Sequence, residues 1–81
     1  MAKPSPNHSG DPMLVAIGQA IRVVRKDQGI SQEALALATE LDRSYVGGIE
    51  RGEHNLGLFS LKKVCDELGL DLSALLKMAG Y

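Results

Sequence analysis

Hydrophobic residues recur at helical spacing in the first third of the chain. The repeating positions are Leu14, Ile17, Ile21 and Val24. They fall on one face of a 3.6-residue repeat, and Gly29 supplies a C-terminal stop. This pattern predicts a first helix over residues 14–28.

A second pattern, found four times, predicts four more helices. An apolar residue precedes a candidate N-cap, and another apolar residue follows five positions after the first, which is the spacing of a hydrophobic staple. The four instances are Ile30-Ser31 with Leu35, Leu41-Asp42 with Val46, Leu56-Gly57 with Leu61, and Leu70-Asp71 with Leu75. They predict helices near 32–39, 43–51, 58–68 and 72–79. Because no strand pattern competes, we expect an all-α protein, a compact bundle of five helices.

Composition divides the chain into a tail and one domain. Residues 1–12 hold three prolines among small polar residues, so we expect a flexible N-terminal tail. Residues 13–81 then form a single small domain with one modest core. Such a domain leaves little room for a separate catalytic unit.

Charge and cysteine content restrict the classes of function. The formal net charge of −1 gives no overall attraction for phosphate, so nucleic-acid binding would need a local basic face. One cysteine, Cys65, and two distant histidines exclude an internal disulfide and a metal site. No apolar run approaches the ~20 residues of a membrane span, and no signal-peptide stretch opens the chain. We therefore expect a cytoplasmic protein without membrane association or cofactor.

Two segments carry a family resemblance. Residues 31–36, Ser-Gln-Glu-Ala-Leu-Ala, and residues 41–52, Leu-Asp-Arg-Ser-Tyr-Val-Gly-Gly-Ile-Glu-Arg-Gly, resemble the helix-turn-helix of the Xre or Cro/phage-repressor family. With Asn55 and Leu56, the second segment is especially similar to controller proteins of restriction-modification systems. The resemblance covers about 14–79. It implies a lambda-repressor-like fold and a transcriptional regulator, activator or repressor, that binds a pseudo-palindromic operator in double-stranded DNA as a homodimer.

The third helix is the predicted recognition helix. Val46 and Ile49 give it an inward stripe, which leaves Arg43, Ser44 and Gly47 facing outward as candidate base-reading residues. Arginine suits the paired acceptors of guanine. The alternative is a solvated Arg43, although a cation at a helix start gains nothing from the helix dipole.

The resemblance implies further contacts to the DNA backbone or groove edge. The candidates are Gln32, Tyr45, Arg51, His54 and Asn55. Gln32 opens the second helix, where free N–H groups can hold a phosphate. Tyr45 serves equally well as a core residue, and His54 is the weakest candidate because a histidine is mostly neutral at pH 7.

Other positions have predicted structural roles. The resemblance implies a salt bridge between Arg25 and Glu50 that orients the first and third helices. Glu40 lies in the tight turn where the family often has Gly or Asn, so a left-handed backbone there would be strained. Gly47 and Gly48 interrupt the recognition helix, and each costs ~1 kcal/mol of helix propensity relative to Ala.

The last helix is unusually apolar. Leu72, Leu75, Leu76 and Met78 exceed what a terminal helix needs to cover a small core, which predicts a dimer interface. The alternative is that all four serve the monomer core.

Two other classes of function stay open. One is a helix-turn-helix adaptor or antitoxin-like module that binds protein rather than an operator, which the acidic balance and the paired glycines favour. The other is an enzyme, which we do not expect because no nucleophile-base pair, phosphate loop or metal-ligand spacing occurs. We expect no small-molecule ligand.

Overall fold

The computed structural model describes residues 9–81 and contains five helices in that range. They are α1 (Pro12–Asp27), α2 (Gln32–Thr39), α3 (Arg43–Glu50), α4 (Leu58–Leu68) and α5 (Leu72–Met78). No strand occurs within residues 9–81. The predicted all-α, five-helix architecture is confirmed, and the bounds of α2 and α4 agree with the sequence pattern to the residue.

Helix α1 begins two residues earlier than its apolar pattern predicts. The Asp11 side chain accepts a hydrogen bond of 2.9 Å from the Met13 N–H, and Pro12 occupies the first turn, where its missing N–H costs nothing. The Gly10 N–H also donates to the Gly52 carbonyl at 2.9 Å. Pro12 therefore belongs to the helix, while most of the predicted tail, residues 1–8, lies outside the described residues.

All four predicted N-caps stand at helix starts, but they cap in different ways. Ser31 accepts a hydrogen bond from the Ala34 N–H at 3.0 Å. Asp42 and Asp71 make no side-chain hydrogen bond to the first turn of α3 or α5. The Asp42 carboxylate instead accepts from the Ser44 hydroxyl.

The turn between α2 and α3 has the left-handed residue that its length requires. Glu40 has φ 58° and ψ 31°, and its N–H donates to the Leu37 carbonyl at 3.3 Å. The Leu41 N–H donates to the Ala36 carbonyl at 3.0 Å, and this hydrogen bond ends α2. The strain predicted for Glu40 is therefore present, because its Cβ crowds the backbone in this conformation.

The core lies between α1, α2 and α3 and is closed by α4 and α5. Its fully buried side chains are Ile21, Leu35, Val46, Ile49, Val64, Cys65 and Leu75. Helices α1 and α3 approach closely because residue 18 is glycine. A Cβ there would overlap the Ile49 carbonyl oxygen and lie 2.8 Å from that of Glu50.

The structure corrects part of the predicted dimer interface. Leu75 is 0% exposed and belongs to the monomer core, so it cannot meet a second copy. Leu72 and Leu76 are half-buried against the same core, while Met78 is exposed. Within residues 9–81, no helix is long and apolar enough to cross a membrane.

Candidate DNA interface

Helix α3 divides into a buried stripe and an exposed start. Val46 and Ile49 are 1% and 2% exposed, as the inward stripe predicts. Arg43 is exposed in the first turn, and within residues 9–81 its side chain makes no hydrogen bond or ion pair. The guanidinium of Arg43 can therefore reach an external acceptor without leaving an internal one.

A buried ion pair fixes α3 against α1. Arg25 Nε lies 2.6 Å from Glu50 Oε2, and Arg25 Nη2 donates to Glu50 Oε1 at 2.9 Å. Arg25 Nη1 donates to the Ile30 carbonyl at 2.7 Å. The hydrogen bond to Glu50 is the main reason that the pKa of Arg25 is raised, so the guanidinium stays charged. This is the ion pair that the family resemblance implies.

Gln32 joins this buried pair. Its Nε2 donates to Glu50 Oε1 at 3.0 Å, so one of its two amide hydrogens points inward. The side chain is half-buried at the first position of α2. The second amide hydrogen and the backbone N–H groups of the first turn are what this position can offer a phosphate.

Gly47 does not face outward as predicted. It is buried, and a Cβ at this position would lie 3.0 Å from Arg51 Nη1 and 3.6 Å from Gln32 Oε1. The guanidinium of Arg51 therefore covers Gly47, because Arg51 lies one helical turn further on, where its N–H donates to the Gly47 carbonyl at 3.1 Å. Gly47 therefore has little surface of its own to offer a base while Arg51 lies over it.

His54 is also misplaced by the sequence prediction. It is 6% exposed, and its ring lies against Tyr45 with centroids 4.7 Å apart. A Cβ on Gly48 would overlap the imidazole, so the ring packs directly against the backbone of this second glycine. Among the described residues nothing hydrogen-bonds His54 Nε2. His54 is thus a buried packing residue beside α3, and its ring has little surface left to offer DNA.

The remaining candidates for DNA contact are half-buried or exposed. Tyr45 is half-buried against the core, which favours its predicted packing role, and Ser44 is half-buried beside Asp42. Arg51 and Asn55 are exposed.

Sequence reasoning missed an ion pair beside the recognition helix. Arg51 Nε lies 2.7 Å from Glu53 Oε2, and Arg51 Nη2 donates to Glu53 Oε1 at 3.1 Å. The hydrogen bond from Arg51 is the main reason that the pKa of Glu53 is lowered. The only sequence signal was an acid two residues after an arginine, which is too common to predict a contact.

Two apolar surfaces lie on different sides of the molecule. A groove that we call the α4/α5 groove is lined by Leu58, Leu70 and Leu72, with polar residues around it. A second groove, the α1/α5 groove, is lined by Ala16, Ala20, Val23 and Met78. Leu72 and Met78, which the sequence assigned to one interface, therefore lie on different surfaces.

The fold and the exposed start of α3 define a class of protein. It is a helix-turn-helix transcriptional regulator, with α2 as the supporting helix and α3 as the recognition helix. The helix-turn-helix family model matches residues 21–75, and the chain belongs to this family.

Similar proteins fall among repressors and controller proteins. The control protein C.MunI of Mycoplasma sp is 37% identical over 62 residues, which is 75% of this chain and 84% of that protein. The immunity repressor of Bacillus phage phi105 is 38% identical over 61 residues, but this chain spans only 42% of its length. The restriction-modification controller protein C.Esp1396I, solved as a tetramer with its natural 35 base-pair operator, is 33% identical with a TM-score of 0.75. That match covers 83% of this chain and 88% of that one.

Proposed function

We propose that this chain is a sequence-specific regulator that binds a pseudo-palindromic operator as a homodimer, with α3 in the major groove. The observation that carries the proposal is Arg43, which is exposed and has no side-chain partner among residues 9–81. It lies at the start of a helix that the buried Arg25–Glu50 pair fixes against α1. The N-terminal part of the second helix of a helix-turn-helix is the part that reaches base edges.

Arg43 and Ser44 are the proposed base-reading residues. Arginine can donate two parallel hydrogen bonds to guanine, and a serine hydroxyl can donate to or accept from any base. Gln32, Arg51 and Asn55 are the proposed phosphate contacts. Gln32 and Arg51 both lie beside Gly47, Gln32 is the first residue of α2, and Arg51 and Asn55 are exposed.

The proposed dimer interface is the α4/α5 groove together with Leu58 at its edge. Leu58 is 70% exposed, and it adjoins Leu70 and Leu72. A second copy would cover this surface, which is formed by the two helices that come after α3 in the sequence. Two-fold symmetry would then present two α3 helices about one DNA turn apart.

A controller role is the proposed biological setting. The similarity to C.MunI and to C.Esp1396I supports a controller role. The family resemblance implies an operator near the protein's own promoter, and we propose regulation in the cytoplasm without enzymatic activity. A footprint that shows no protected site upstream of its own gene would contradict this setting while leaving DNA binding intact.

Selection from random duplexes tests the proposal directly. We expect wild-type protein to recover a palindromic site and Arg43→Ala to lose or relax it, with a cost of about 1–3 kcal/mol per half-site. Lys77→Ala is the matched control, because Lys77 is an exposed cation on α5, which packs mainly on α1 and α4. Wild-type protein that selects no sequence, or an Arg43→Ala variant with unchanged selection, would contradict the proposal.

A further inference from the structure

The guanidinium of Arg51 lies beside Gly47, the position of the recognition helix that has no side chain. Arg51 follows the last residue of α3, and its Nη1 covers Gly47, close to Gln32. Because residue 47 lacks a side chain, the surface at mid-helix is supplied by this guanidinium from one helical turn further along. A Cβ at residue 47 would lie 3.0 Å from Nη1, so glycine lets the guanidinium lie against the helix without moving aside.

Most of the hydrogen-bonding edge of Arg51 is already occupied. Nε and Nη2 form a bidentate pair with the Glu53 carboxylate at 2.7 and 3.1 Å, and only Nη1 is left out of it. The pair is accessible, with side-chain exposures of 57% for Arg51 and 27% for Glu53. A phosphate that approaches Arg51 therefore also approaches a fixed negative charge.

We propose that Glu53 is an internal competitor for DNA phosphate at Arg51, so that this carboxylate lowers the affinity of the protein for DNA. The inference rests on the proposed function and concerns the electrostatic part of binding. The Arg51–Glu53 pair has no net charge, so it displaces fewer counterions from DNA than a free arginine would. An exposed pair is also weak enough for a phosphate to open it.

The expected effect is modest for each protomer and larger for the dimer. A phosphate that binds Arg51 must first open its exposed pair with Glu53, so removing the carboxylate raises affinity by about threefold for each protomer and by about tenfold when two protomers bind together. The effect falls as salt rises, because screening weakens interactions between exposed charges.

The test is Glu53→Gln, with Glu67→Gln as the matched control. Both substitutions remove one carboxylate, and Glu67 is exposed on α4. The probe is a labelled random-sequence duplex of about 30 base pairs, or three helical turns, titrated over a sodium chloride series. We expect Glu53→Gln to bind about tenfold tighter than wild type at low salt, with a steeper salt dependence. Glu67→Gln should change the affinity by less.

The same measurement in an Arg51→Ala background isolates the contact. Without Arg51 there is no guanidinium to release, so adding Glu53→Gln should give no more than the small gain seen with Glu67→Gln. The proposal is overturned if Glu53→Gln binds no tighter than Glu67→Gln, or if its gain persists without Arg51. Wild-type protein that binds no duplex at any salt would instead overturn the proposed function itself.

Discussion

Glu50 is the residue on which the orientation of the recognition helix depends. Its carboxylate accepts three hydrogen bonds, two from Arg25 and one from Gln32, in a position that is 6% exposed. A buried pair of this kind adds little net stability over an apolar pair of similar shape, but it is intolerant of losing one member. It therefore acts as a constraint on geometry.

Removing the charge of Glu50 should be far more costly than removing an exposed carboxylate. We expect Glu50→Gln to lower the free energy of unfolding by about 3–5 kcal/mol, because Arg25 keeps an uncompensated buried charge. Asp66→Asn is the control, since Asp66 pairs with Lys62 on the surface at 2.7 Å and should cost under about 1 kcal/mol. Urea unfolding measures both, and equal losses would contradict the prediction.

Gly48 should resist a substitution that ordinarily stabilises a helix. Alanine has the higher helix propensity, but its Cβ would overlap the His54 ring, and such overpacking costs about 1–3 kcal/mol. We expect Gly48→Ala to lower the melting temperature in the wild type and to raise it when His54→Ala is also present. A Gly48→Ala variant more stable than wild type would show that the ring moves away freely.

Individual side chains were predicted well where their role depends on local spacing. The inward stripe of Val46 and Ile49 follows from helical periodicity alone. Gly47 was misplaced although its cover is local, because Arg51 lies four residues later on the same helical face and its side chain covers the glycine. His54 was misplaced because its environment depends on the path of the loop after α3, which brings the imidazole over Gly48. No local pattern contains that path.

At the level of elements, the α2–α3 turn carries strain that a single substitution should remove. Glu40 is exposed and left-handed, so Glu40→Gly should raise the free energy of unfolding by about 1 kcal/mol. Gly69, which ends α4 with φ 71°, provides the opposite change as a control. Gly69→Ala should lower the free energy of unfolding by a similar amount. Calorimetric melting curves of the two variants should shift in opposite directions, and a destabilised Glu40→Gly would contradict the prediction.

Helix starts were predictable because caps and staples are local signals. All four staple motifs mark observed N-caps, even Gly57, which has no side chain to donate or accept. The start of α1 was missed because Asp11 and Pro12 lie in a stretch whose composition otherwise indicates a tail. The preference of proline for the first turn of a helix would have predicted the start of α1 correctly.

At the scale of the whole molecule, the two apolar grooves predict different responses to a charge. Leu58→Glu should dissociate the dimer and weaken operator binding to that of a single half-site, because Leu58 borders the α4/α5 groove. Met78→Glu should leave the dimer intact, although Met78 is also exposed, at 51%. Sedimentation equilibrium measures both variants. A dimer lost with Met78→Glu and kept with Leu58→Glu would assign the interface to the α1/α5 groove.

Whole-molecule properties were the least accessible to sequence reasoning. An excess of leucine in α5 indicates surplus apolar surface but does not say which residues are surplus, and Leu75 proved to be core. Net charge likewise does not reveal that Arg43 is unpaired within the described residues while Arg51 is paired.

The buried bridge from Arg25 through Glu50 to Gln32 holds the end of α3 in the fold and leaves its first turn, the part proposed to meet DNA, exposed. Positions 43 and 44 can therefore be exchanged without rebuilding the scaffold. Such a protein can acquire a new operator by a few surface substitutions, and its descendants can diverge in the promoters they control while keeping one architecture. The same separation makes this chain a suitable frame for engineered DNA readers.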